Sequence, residues 1–131
     1  MVCLDTSVLV ALIRKDRAAL ERLSSEVERG GTVSTTMISL LEMYSGAYGS
    51  KDPDLELARI GELISSLAVL GIDTGAALRY GELVHDPGLK REPIGDFDLI
   101  IASVALQNGE KLATRNLKHF SRVPGLVTER W

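Results

Sequence analysis

The sequence is poor in several things, and each scarcity narrows what the protein is. Its 131 residues include a single cysteine, Cys3, so no internal disulfide forms and a disulfide scaffold is excluded. Cys3 lies in an apolar run, where a thiol serves as a small buried hydrophobe rather than a nucleophile. Aromatic residues make up only 5%, which leaves the packing to aliphatic side chains and alanine. No apolar run approaches the roughly 18 residues of a membrane-spanning helix. Asp5 interrupts the first apolar stretch at once, which argues against a signal peptide. A reducing cytoplasm, away from any membrane, is the expected location. The formal net charge of −3 argues against a large phosphate-binding surface but leaves room for a nuclease whose acids recruit cations.

What is present is ordinary in amount and informative in order. Shares of 45% hydrophobic and 25% charged residues exclude a disordered chain, and the length suits one domain over residues 1–131. Met1 to Leu4 reads as a short strand ending at Asp5. Val8, Leu9, Leu12 and Ile13 then recur at helical spacing. Asp16 suits the cap of a second helix, with Leu20, Leu23 and Val27 as its apolar stripe and Gly30-Gly31 as its end. Thr32 to Thr35 reads as a β-branched strand, and Ser34, Thr35 or Thr36 suits the cap of a helix carrying Ile38, Leu41 and Glu42. A helix is expected from Asp54 to about Ser66, a strand from Leu67 to Ile72, and a helix capped by Asp73 or Thr74 through Leu83. His85 to Gly95 reads as a polar loop. Asp96 opens an apolar helix to about Gln107, followed by strands at Lys111 to Thr114 and Gly125 to Thr128. Helices separating short strands predict an open α/β fold with a sheet covered on both faces. Ligands in such folds bind at the carboxyl ends of the strands. Asp5-Thr6-Ser7 and Thr114-Arg115-Asn116 both fall there.

Position alone leaves each acid two readings. Asp5 is either the cap of the first helix or a site residue at the strand end. Glu42 either points to solvent or borders the buried side of its helix, beside the core-facing Ile38 and Leu41. Asp96 is a natural N-cap and Asp98 suits the helix dipole in the first turn. Two residues apart, they point roughly 200° away from each other, so they do not serve one site equally. Asp98 shares a face with Ile101, Ala102 and Ala105, which makes it the inward candidate. Carboxylates gathered about 4 Å apart repel by roughly 4 kcal/mol per pair at an effective dielectric near 20. Such a cluster needs raised pKa values or a bound cation, and oxygen ligands favour Mg²⁺ or Mn²⁺ over zinc. Phosphodiester hydrolysis is the chemistry that suits such a site.

Four stretches, in order along the chain, resemble the motifs of PIN domains, and specifically of VapC-type toxins from toxin–antitoxin pairs. They are Met1-Val-Cys-Leu-Asp5-Thr-Ser, Ser39-Leu-Leu-Glu42-Met-Tyr-Ser-Gly46, Ile94-Gly-Asp96-Phe-Asp98-Leu-Ile-Ile-Ala102 and Ala113-Thr-Arg-Asn116-Leu-Lys-His-Phe120. The resemblance implies a PIN-like three-layer α/β/α fold with a central, mostly parallel sheet of four to five strands. It also implies a metal-dependent endoribonuclease in which a carboxylate-bound Mg²⁺ or Mn²⁺ activates water. Asp5, Glu42 and Asp98 match the family's metal ligands and catalytic acids. Ser7, Asp96, Thr114 and Asn116 match supporting positions. The implied partners are an RNA substrate, a cognate antitoxin and a second copy of the chain. Arg115 and Lys118, beside the site, suit phosphate positioning, and Arg14, Lys15 and Arg17 extend the same basic face. In one respect the chain departs from the pattern. Many relatives carry an acid where Asn116 or His119 stands, so one metal is expected to bind firmly and a second only with substrate; His119 itself reads as surface.

Three alternatives share the fold class. An aspartyl-phosphate phosphotransferase would use Asp5 as nucleophile, but its Asp-x-Asp pattern is broken by Ser7. A PIN-like module without catalysis, or a maturation nuclease without an antitoxin, would keep the fold and lose the metal or the partner.

Overall fold

The computed structural model describes residues 1–131. Five short strands, β1 (Val2–Leu4), β2 (Val33–Thr36), β3 (Ala68–Leu70), β4 (Lys111–Thr114) and β5 (Thr128–Arg130), form one sheet in the order β3-β2-β1-β4-β5. Every pairing is parallel, with Cys3 opposite Ser34 on one side and Leu112 on the other. Parallel neighbours need crossover connections, and helices supply them.

Alternation along β1 decides which helices cover which face. Val2 and Leu4 point to one side, Cys3 to the other, as the pleat requires. On the Val2 face, α1 (Thr6–Ile13) and α2 (Arg17–Glu28) pack with α4 (Pro53–Ile64) through Val8, Leu9, Leu12, Ala19 and Ile60. On the Cys3 face, α5 (Thr74–Val84), α6 (Pro87–Arg91), α7 (Asp96–Gln107) and α8 (Leu117–Phe120) bury Leu83, Leu89, Ile101, Ala102 and Phe120. α3 (Met37–Tyr48) straddles the layers, sending Met43 and Ala47 to the first core and Ile38 to the second. The result is the expected three-layer α/β/α fold.

Helix starts follow local chemistry. The carboxylates of Asp5, Asp16, Asp52, Asp73 and Asp86, and the hydroxyl of Thr36, each accept from the backbone N–H three residues on. α7 differs, because its N-cap is Gly95 at φ 100°, a left-handed conformation that favours glycine, with no side-chain cap. Asp96, expected as that cap, is instead the first helical residue and exposed.

Several expectations need correction. The 85–95 loop contains α6, a five-residue helix with Pro87 at its start, where the missing N–H costs nothing. β5 begins at Thr128, not at Gly125, because Gly125 takes φ 80° and turns the chain. Leu41 is 53% exposed, Val27 61% and Leu20 39%, so neither of these two stripe residues of α2 faces a core, and nor does Leu41. Leu41 lies one residue round the helix from Leu40, which takes the buried position in its place.

Candidate active site

β1 and β4 lie side by side at the centre of the sheet, where the strand order turns from descending to ascending. That makes their carboxyl ends the switch point at which such sheets bind ligands. Asp5 leaves β1 there, with its N–H donated to the carbonyl of Ala113 at 3.1 Å. Its side chain is 4% exposed and fully braced. The Ser7 hydroxyl donates to Oδ1 and the Thr114 hydroxyl to Oδ2, each at 2.6 Å, while the Val8 N–H donates to Oδ1 at 3.2 Å.

Those two hydroxyls are themselves oriented. The Arg115 N–H donates to Ser7 Oγ and the Asn116 N–H to Thr114 Oγ1, both at 2.9 Å. Backbone amides thus occupy the hydroxyl lone pairs and turn both protons toward Asp5. Burial pushes the Asp5 carboxyl above its ordinary value. The bonds from Ser7, Thr114 and Val8 pull against that rise, and the nearby charge of Asp98 adds to it. The carboxylate of Asp98, from the first turn of α7, is thus close enough to be felt by Asp5 at the end of β1. An Asp5 held at both oxygens is a fixed ligand more than a free nucleophile.

Asp98 sits in the first turn of α7, half-buried. His119 Nδ1 lies 3.1 Å from its Oδ2 and 2.9 Å from the Asn116 amide. The surface reading of His119 therefore changes, since its ring, half-exposed, is bonded into the site. The signal was present in the sequence: Asn116 and His119 stand three apart, a spacing that puts both on one face of a helical turn.

The remaining candidates are placed less tightly. Glu42 is half-buried on α3 and accepts from the Thr6 hydroxyl at 2.6 Å. As the side chains stand, no three acid, histidine or thiol groups meet in metal-holding geometry, so Glu42 does not join Asp5 and Asp98 as expected. A third negative charge beside that pair would be repelled, and the hydroxyl of Thr6 is a better partner. Asp96 lies outside this cluster, in a cleft lined by Tyr80, Leu83 and Leu89. Arg115 is half-buried and committed, pairing with Asp16 and donating from Nε to the main-chain oxygen of Trp131 at 2.9 Å. Lys118 is exposed on α8, as are Arg14, Lys15 and Arg17 at the end of α1 and the start of α2.

The donors fit a divalent cation by their chemistry. Asp5 is a desolvated carboxylate beside a second negative charge, and a hard cation relieves both costs through oxygen ligands. Asp5 and Asp98 are the residues that could hold it, while Glu42 is bonded to Thr6.

A family model for the PIN domain matches residues 2–126. The chain belongs to the PIN-domain family. Within it, this PIN domain is similar to curated VapC proteins along nearly its whole length. It is 34% identical over 129 residues to the tRNA(fMet)-specific endonuclease VapC of Salmonella typhimurium, covering 98% of the chain and 96% of that protein. It is 32% identical over 128 residues to Ribonuclease VapC2 of Haemophilus influenzae, with the same coverage. Among solved structures, VapBC2 of Rickettsia felis bound to a promoter DNA fragment superposes with a TM-score of 0.93 at 28% identity, over 100% of this chain and 99% of that one. The PIN domain has no helix long and apolar enough to cross a membrane.

Proposed function

We propose that this chain is a VapC-type toxin, a single PIN domain over residues 1–131 that hydrolyses RNA phosphodiester bonds as an endoribonuclease. The observation that carries the reading is the braced, buried Asp5 beside Asp98 at the switch point of the sheet. The relatives support it, being named endonuclease and ribonuclease.

Asp5 and Asp98 would hold a divalent cation, Mg²⁺ or Mn²⁺, and Glu42 would complete the set of catalytic acids. When bound, such a cation supplies Lewis acidity, drawing charge from the phosphate and acidifying water. Ser7 and Thr114 keep both oxygens of Asp5 in place. Glu42, once freed from Thr6, is the carboxylate able to accept a proton from the attacking water. Lys118, with Arg14, Lys15 and Arg17, draws the RNA backbone in without reading sequence. Arg115 contributes by fixing the loop after β4 rather than by contacting phosphate. Asn116 and Asp96 act at the margin of the site.

The partner in this reading is an antitoxin, supported by the likeness to the VapBC2 assembly. A groove of about 500 Å³ between α1, α2 and α4, walled by Leu12, Leu23 and Leu63 and rimmed by Arg14 and Arg59, leads toward Glu42 and suits an antitoxin segment. Exposed apolar side chains such as Leu41, Tyr48 and Phe97 support a homodimer, and the free thiol suits a reducing cytoplasm.

The test is RNA cleavage by purified protein, with tRNA(fMet) tried first because it names the Salmonella relative. Mg²⁺ or Mn²⁺ is required, and Asp98→Asn lowers the rate at least a hundredfold while circular dichroism stays unchanged. Undiminished cleavage in excess EDTA, or by Asp98→Asn, overturns the reading.

A further inference from the structure

The two central carboxylates are held very differently. Asp5 has three donors and a place in the core. Asp98 stands on the first turn of a helix that starts without a side-chain cap, and its carboxylate has one protein partner, His119. Whatever orients Asp98 must therefore act through that ring.

The ring is well placed to do so. His119 belongs to α8, the single turn that follows β4, and its neighbour Phe120 is completely buried, which anchors the turn to the core. An ionised carboxylate only accepts, so Nδ1 carries the proton and donates to Asp98 Oδ2. Asn116 Nδ2 lies 2.9 Å from the same Nδ1, and with that nitrogen protonated the amide turns over so that its oxygen accepts. The bond to Asp98 sets the tautomer, and the two contacts together hold the plane of the ring.

We propose that His119 is a positioning residue for the metal site, clamping one oxygen of Asp98 so that the other is presented to the cation shared with Asp5. The assignment rests on the carboxylate reading of the preceding section. It gives His119 a role that a carboxylate at this position would not fill, because a carboxylate repels Asp98 and an imidazole N–H donates to it. Asn116 supports the clamp from the start of α8.

The experiment is calorimetric titration of the purified protein with Mn²⁺, without RNA, alongside His119→Ala, His119→Asn, His85→Ala and Asp5→Asn. Loss of a bond that orients a ligand weakens metal affinity by about 10- to 100-fold, and His119→Ala is expected in that range. His119→Asn places an amide N–H close to the position of Nδ1 and restores most of the affinity. His85→Ala, changed at an exposed site at the end of α5, binds as wild type. The melting temperatures of the metal-free His119 variants stay within a few degrees of wild type, which separates clamping from folding.

Wild-type affinity in His119→Ala overturns the clamp and leaves the carboxylate reading intact, provided Asp5→Asn has lost its binding heat. A directly bound nitrogen in the Mn²⁺ spin-echo spectrum, lost in His119→Ala, also overturns it, since the ring would then be a ligand itself. No binding heat in the wild type overturns both.

Discussion

Replacing Asp5 by asparagine separates the chemistry of that residue from its architecture. The asparagine would keep the N-cap of α1, since its side-chain oxygen accepts from the N–H three residues on as well as aspartate does, a contribution of about 0.5–2 kcal/mol. It would also keep an acceptor for the Ser7 hydroxyl. On the other side an amide N–H₂ would face Thr114, whose hydroxyl proton loses its acceptor, a cost of about 1–3 kcal/mol. Against that cost stands the removal of a desolvated charge repelled by Asp98. The expected net change is within about 1.5 kcal/mol, or roughly 3–6 °C in melting temperature for a domain of this size. Asp5→Ala removes the cap and both acceptors together, so it should lose several kcal/mol more.

The pH dependence carries a sign. Because the folded pKa of Asp5 is raised, the native state holds its proton more tightly than the unfolded chain does. Wild-type stability therefore falls as pH rises from the unfolded carboxylate value to the folded one, and Asp5→Asn escapes that fall. Thermal unfolding in EDTA across pH 4 to 8 should show the variant gaining on wild type with rising pH, then running parallel above the folded pKa. RNA cleavage by Asp5→Asn, assayed separately with Mg²⁺ or Mn²⁺ present, should be abolished while wild type cleaves. An Asp5→Asn protein as unstable as Asp5→Ala, or a gap that does not change with pH, would refute the argument and make Asp5 a helix cap.

Two further expectations concern groups around the site. Cys3, whose thiol burial pushes up to about 12, should stay unlabelled by a thiol reagent at pH 8 and react fully on denaturation. Arg115→Ala should raise the Asp16 carboxyl from its lowered position toward its ordinary value, read as a shifted carbon resonance in an NMR titration, because the guanidinium bond is what lowers it.

Legibility in the sequence followed contrast. β4 was readable to the residue, since Asn108-Gly109 closes α7 and the next apolar run is short. Asp16 announced α2 because an acid after an apolar helix is a strong cap. α6 was hidden because one turn is too short to display a period and Asp-Pro-Gly reads equally as a turn. The exposure of Leu20, Val27 and Leu41 was hidden because periodicity fixes a stripe only to within a residue or so around a helix. At the site, the strand end marked Asp5 and the motif order pointed to Asp98. The Thr6 bond to Glu42 and the His119 bond to Asp98 depend on how separate elements dock, which no local pattern encodes.

The central position of β1 has one more consequence. Asp5 and Glu42 are made early in the chain, whereas Asp98, Thr114 and His119 come after residue 95, and β1 gains its second neighbour only when β4 slots in beside it. A growing or truncated chain that ends before residue 111 lacks the hydroxyl from β4 that steadies Asp5. Until that strand is in place the brace on Asp5 is incomplete, and its insertion completes the site. A division between β3 and α5 would leave Asp5 and Glu42 on one piece and Asp98, Thr114 and His119 on the other, so neither piece carries the whole site.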